Sequence, residues 1–129
     1  MNNISIEATE RAPAIDFNFE ANTFVIKGES YPEDVTDFYG PLIDNLESHL
    51  RSQQSASISF LFDLIYFKSS SAKIFMGLFD LLEEVAIEGN DVTVTWQFEE
   101  GDDNMEELRE EFGEDLVRAS FSLKEVSIE

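Results

Sequence analysis

The stretch SISFLFDLIYFKSSSAKIFMGLFDLLEE, residues 57–84, changes its hydrophobic period once, and the change falls on three consecutive serines. Before them, Ile58, Phe60, Phe62 and Leu64 follow the two-residue repeat of a strand. Leu61 adds an apolar side chain on the opposite face, which predicts a central strand. After them, Ile74, Leu78, Leu81 and Val85 fall three or four apart, and Phe75, Phe79, Leu82 and Ala86 widen that stripe into the buried face of a helix. Ser69, Ser70 and Ser71 therefore stand at a strand-to-helix junction. A serine oxygen accepts from an otherwise orphan backbone N–H at a helix start, so Ser69 or Ser70 is expected as the cap.

On the N-terminal side, AIDFNF alternates Ile15, Phe17 and Phe19 with polar residues, and TFVIKG follows after the turn-like EAN. Residues 14–27 thus read as a hairpin. From Tyr31 the period lengthens: Val35, Phe38, Tyr39, Leu42, Ile43, Leu46 and Leu50 form one helical stripe. Ser30 is the expected cap, with Pro32, Glu33 and Asp34 at the start. Gly40-Pro41 interrupts the pattern, and an interior proline costs about 3 kcal/mol. The expectation is a short lead-in turn, then a helix restarting with Pro41 in its first turn.

On the C-terminal side, Val92, Val94, Trp96 and Phe98 alternate as a strand. Residues 104–112 fit a short acidic helix with Met105, Leu108 and Phe112 on one side, and ASFSLKEVSI reads as a last strand. The order ββαβαβαβ predicts an α/β fold, a mixed sheet with helices packed on it. No repeat or linker divides the chain, so residues 1–129 are expected to form a single domain.

Composition narrows the function. With 8 basic against 28 acidic residues the formal charge is −20. Such a field repels phosphate backbones and anionic membrane surfaces, so neither nucleic acid nor membrane is an expected partner. A basic protein surface is favoured, and solubility or a salt-adapted proteome gives the plainer account. The chain has no cysteine, hence no disulfide or thiol chemistry, in keeping with a cytoplasmic location. MNNISIEATERAP has no apolar core of signal-peptide type, and no segment approaches about 20 apolar residues.

Against this background, the placing of Lys68 and Lys73 around three hydroxyls is informative. A cap accounts for one serine, and a first-turn position for a second. A helix N-terminus is also an anion site, because its free N–H groups converge and carry partial positive charge. A phosphate esterified to a serine there gains those amides, and Lys73, one turn on from Ser69, reaches the same anion. The added charge of about −1.5 to −2 reverses the sign of a neutral patch and disturbs a partner packed against it. This is the chemistry of a switch.

Three blocks then resemble one family. YFKSSSAK is similar to the Y-[FL]-N-[ST]-S-S-x-K segment of the SiaC-type regulatory phosphoproteins. GESYPEDVTDFYGPLIDNL is similar to their G-x-S-Y-P-E-x-x-x-x-F-[YF]-x-P-[LI] stretch, and VTWQFEEGDDNMEELREEF to their aromatic strand with an acidic D-D-x-x-M segment. The blocks keep their order and cover most of residues 27–112. The resemblance implies a fold like the STAS or anti-sigma-factor-antagonist sandwich. It also implies a non-enzymatic cytoplasmic protein that needs no cofactor. It implies phosphorylation by a serine/threonine kinase of histidine-kinase-like ATPase fold, and reversal by a PP2C-type phosphatase. The unmodified form then binds and activates a diguanylate cyclase, raising cyclic di-GMP and favouring aggregation or biofilm. By position in the motif the acceptor falls on Ser69, with Ser70 and Ser71 as lesser candidates and Lys68 and Lys73 as neighbours. Lys68 departs from the family's Asn, a residue that organises turns through its own hydrogen bonds. The alternative is an anti-sigma factor antagonist acting in transcriptional partner switching.

Other constellations carry less. Residues 99–115 hold ten carboxylates and one arginine, without the regular oxygens, central glycine and terminal glutamate of a calcium loop. A solvated helix is the plain reading, and a contact face for a basic partner, including Asp102 and Asp103, the sharper one. Tyr31, Pro32 and Glu33 read as a recognition loop or as simple turn chemistry. His49 is alone and expected on the outward side of the first long helix. Without a second histidine or a cysteine, zinc-site and nucleophilic arrangements have little to work with. No catalytic residue or metal ligand is therefore expected.

Overall fold

The computed structural model describes residues 2–127, except for the side chains of residues 106, 108 and 109. The expected contact of Leu108 and the last apolar residue of the final strand, Ile128, lie outside the described residues. Nine elements follow in order: β1 (Ile4–Ile6), β2 (Ala14–Asn18), β3 (Thr23–Ser30), α1 (Val35–Arg51), β4 (Ser57–Phe67), α2 (Ser69–Ile87), β5 (Asp91–Glu99), α3 (Asp103–Gly113) and β6 (Ser120–Val126). The six strands form one sheet in the spatial order of the chain. β1, β2 and β3 pair antiparallel, while β3, β4, β5 and β6 run parallel. Each parallel step crosses over through a helix and always advances in the same direction. Right-handed crossovers of this kind place α1, α2 and α3 on one face of the sheet.

The strand alternation meets that face. Ile58, Phe60, Phe62 and Leu64 of β4 are buried, as are Val92, Val94, Trp96 and Phe98 of β5. Aromatic rings make up much of the contact. Phe60 and Phe62 stack at 4.6 Å between centroids, and Trp96 stacks on Phe112 of α3 at 5.3 Å. The indole Nε1–H of Trp96 donates to the carbonyl of Met105 at 2.9 Å, so the ring both fills the core and fixes α3 upon it. Among the described residues, no helix is long and apolar enough to cross a membrane.

Three expectations are corrected. First, β1 adds an edge strand ahead of the hairpin, giving βββαβαβαβ; Ile4 lies opposite Phe17, and Asn3 Oδ1 accepts from the Phe19 amide at 3.0 Å. Three residues are too few to display a period. Second, α1 runs unbroken through Pro41, and its cap is Asp34, whose Oδ1 accepts from the Asp37 amide at 3.0 Å. Ser30 ends β3 instead, with its side chain buried. Proline normally expels the residue before it from helical geometry by crowding its Cβ, and Gly40 has none. The Asp37 carbonyl, which loses its helical donor at Pro41, belongs to an exposed residue rather than to the buried face. Third, His49 is half-buried: its ring lies 5.0 Å from Phe19, and Nε2 is 2.6 Å from Asn22 Oδ1. Burial lowers its pKa below the usual value. Position 49 lies three residues beyond Leu46, within the stripe; its polarity, not its phase, suggested the outside.

The Glu83 side chain ties α2 to the segment that leads into the last strand. The Glu83 carboxylate accepts from the consecutive amides of Val117, Arg118 and Ala119 at 2.9–3.1 Å. Desolvation pushes its pKa up, but these bonds outweigh that effect and hold it below the ordinary value. A depressed carboxylate pKa contributes stability above the unfolded value of 4.5, which is lost as pH falls through the folded value. Glu83→Gln should therefore cost about 1 kcal/mol at pH 7, seen as a thermal midpoint lower by about 3–5 °C. The gap between mutant and parent should close in melts run progressively below pH 4.5; a gap independent of pH would refute the charge-assisted account.

Candidate functional site

Because β3, β4 and β5 are parallel, the loops that leave them all emerge at one edge of the sheet, where α1, α2 and α3 begin. The loop 31–34, the junction at Lys68 and the loop 100–102 therefore share a rim. At its centre, β4 carries one irregularity. Gly28 pairs with Leu64, but the next residue, Glu29, pairs with Tyr66, so Ile65 is an extra residue in β4. This bulge reverses the alternation. Leu64 faces the core, and so does Phe67 three residues later, packed on Phe75, Phe112 and Trp96 at 5.4, 5.8 and 6.2 Å.

Directly after Phe67 the chain turns. The Lys68 amide donates to the Ser30 carbonyl at 3.1 Å, and the Lys68 carbonyl accepts from Ala72 at 3.0 Å to open the helix. Lys68 itself is the N-cap, in extended geometry and without a side-chain cap bond. The expected serine cap is thus corrected, because the bond to Ser30 fixes the start one residue earlier. Ser69, Ser70 and Ser71 become the first three helical residues, and helical phase separates them. Ser71 stands four residues before Phe75 on the apolar face and is fully buried, whereas Ser69 and Ser70 are exposed.

The buried serine belongs to a chain of hydroxyls. Ser30 Oγ donates to Ser71 Oγ at 2.9 Å, and with that proton committed, Tyr39 Oη donates to Ser30 Oγ at 2.5 Å. Burial pushes the Tyr39 pKa up to about 12, although the Ser30 bond pulls the other way. The phenol stays neutral, and the chain joins the end of β3, the start of α2 and the second turn of α1. It holds the rim rigidly behind Ser69.

In front, Tyr31 and Tyr66 meet edge to face at 5.7 Å, and Lys68 Nζ sits 5.8 Å from the Tyr31 ring centre. Lys73 is exposed on α2. Of the residues singled out in the sequence, Tyr31, Lys68 and Ser69 are therefore brought together, with Pro32 and Glu33 following Tyr31 in the same loop. Asp102 lies in another loop of the rim, where it caps α3 by accepting from Met105 at 3.2 Å, and Asp103 is the first exposed residue of that helix. Sequence reasoning missed Tyr66, because a bulge has no periodic signature. It also missed the Ser30–Tyr39–Ser71 chain, whose members lie up to 41 positions apart.

The chain is similar to known proteins over nearly its whole length. The model for the SiaC family regulatory phosphoproteins matches residues 6–126. An uncharacterized protein of Pseudomonas aeruginosa (strain UCBPP-PA14) is 34% identical over 115 residues, covering 89% of this chain and 90% of that one. The crystal structure of apo-SiaC from Pseudomonas aeruginosa superposes with a TM-score of 0.84 at 31% identity, over 96% of this chain and 99% of that one. A crystal structure of the diguanylate cyclase SiaD in complex with its activator SiaC, also from Pseudomonas aeruginosa, gives 0.89 at 31% identity, over 95% and 99% of the two chains. With nearly its whole length matched in both sequence and fold, the chain belongs to the SiaC family of regulatory phosphoproteins.

Proposed function

We propose that this protein is a cytoplasmic, non-enzymatic switch whose unmodified form binds and activates a diguanylate cyclase, and that Ser69 is its phosphate acceptor. The likeness to SiaC in complex with SiaD supports the partner class. The observation that supports the acceptor is the division of the serines: Ser71 is sealed in the core while Ser69 and Ser70 are exposed, and of these two Ser69 adjoins Lys68 and holds the acceptor's position in the motif. A kinase of histidine-kinase-like ATPase fold transfers the γ-phosphoryl group of ATP to Ser69 Oγ, releasing ADP and the hydroxyl proton. A PP2C-type phosphatase hydrolyses the ester, returning serine and inorganic phosphate. At the first helical residue the phosphate is favoured by the helix dipole and the nearby amides, so the modified state is stable in the free protein. The same charge opposes a partner packed against the rim. Cyclic di-GMP output, with aggregation or biofilm, then follows the unmodified fraction.

Incubation with the cognate kinase and ATP, followed by peptide mapping, is expected to place phosphate on Ser69 and none on Ser71. Ser69→Ala should abolish labelling while preserving cyclase binding, and Ser69→Asp should weaken that binding at least tenfold, or about 1.4 kcal/mol. Labelling confined to other residues would refute the assignment. As a control on the supporting hydroxyls, Tyr39→Phe should leave labelling intact but cost about 1 kcal/mol in denaturant unfolding, since Ser30 loses a buried partner.

A further inference from the structure

The lysine that departs from the family pattern has a defined place. The Lys68 amide donates to the Ser30 carbonyl at 3.1 Å, which sets Lys68 beside the segment that leads into Tyr31, and the Tyr31 amide is itself held by the Arg11 carbonyl at 2.7 Å. The extended backbone of Lys68, with ψ at 165°, sends its side chain away from the helix, and its ammonium lies over the Tyr31 ring. Tyr66, 47% exposed, meets the same ring edge to face at 5.7 Å. Adjacent residues within a helix do not face each other, but a cap residue stands outside the helical phase and its side chain is free to turn either way. Ser69 is the next residue, and its exposed hydroxyl begins the same turn.

We infer that Lys68 is a two-position residue: over Tyr31 when Ser69 is free, and paired with the phosphate when Ser69 is esterified. The inference rests on Ser69 as acceptor and assigns the regulation of that site. An exposed cation–π contact is weaker than a charge-assisted hydrogen bond to a phosphate dianion, so the ammonium transfers. Modification then changes two surfaces at once. It adds negative charge at the helix start, and it strips the cation from the Tyr31–Tyr66 pair, leaving a bare aromatic edge where a cation-covered one stood. Lys73, one turn along, keeps its position at the side of the helix.

The test uses the full chain with phosphoserine inserted at position 69 during translation, which needs no kinase. Failure here and failure of the acceptor assignment therefore remain distinguishable. In the unmodified protein, NMR of ¹³C-lysine samples should show Lys68 side-chain methylenes shifted upfield by the ring, a shift lost in Tyr31→Leu. In the modified protein that shift should vanish, and the ³¹P resonance at fixed pH should move in Lys68→Asn. A Lys68 methylene shift retained after modification, or a ³¹P resonance that moves in Lys73→Ala and not in Lys68→Asn, would overturn the inference.

Discussion

The bond from the Lys68 amide to the Ser30 carbonyl is the point on which the rim depends. It is the last link between two parallel strands, and it also decides where α2 begins. The bulge at Ile65 makes it possible: without the extra residue, Phe67 would face away from the core and the chain would leave the sheet in the wrong phase. With it, Phe67 joins Phe75, Trp96 and Phe112, and this aromatic anchor clamps the residue before the cap. Burial of the aromatic cluster therefore sets the placement of a surface hydroxyl.

Electrostatics gives that placement its consequence. In a chain of net charge −20, two of the eight basic residues flank the serines. Two other charged groupings serve the fold. Arg51 bridges Glu47, Glu84 and Glu88 across the ends of α1 and α2, where exposed pairs contribute little individually. Glu83 spends its charge on three amides of its own chain. Lys68 is held over an aromatic ring at the exposed rim, so a change of charge next to it meets a cation that is positioned but only weakly engaged.

Much of this was legible in the sequence. The period change at residues 57–84 established a strand running into a helix, and the alternation of β5 and the stripe of α1 established neighbours for both. What escaped was whatever the period does not encode. Pro41 stays inside α1 because Gly40, without a Cβ, relieves part of the crowding that proline imposes on the residue before it, and the carbonyl that loses its donor belongs to the exposed Asp37. His49 was placed outside by its polarity, although its phase put it against Phe19. The cap moved from serine to Lys68 because a long-range backbone bond, invisible to local propensity, overrode side-chain preference. At the site, local sequence supplied the serines and lysines, whereas Tyr66 and the Tyr39–Ser30–Ser71 chain required the bulge and the tertiary fold.

The rigidity behind the serines constrains how a switch can operate here. Phosphorylation can act by melting a segment or by altering a surface. Melting demands a loosely held helix start, but the first turn of α2 holds Ser71 at zero exposure, bonded through Ser30 to Tyr39, with Phe75 fully buried one turn later. A negative charge at the first helical residue also favours the helix, by about 0.3–1 kcal/mol. Both effects oppose unwinding. A phosphate on Ser69 would therefore leave the backbone of the rim in place and change only what a partner meets: its charge, its bulk and the neighbouring lysine. With Ser69 as acceptor, a helix start held this firmly would confine regulation to recognition, because the first and third serines of the run serve different masters, one solvent and the other the core.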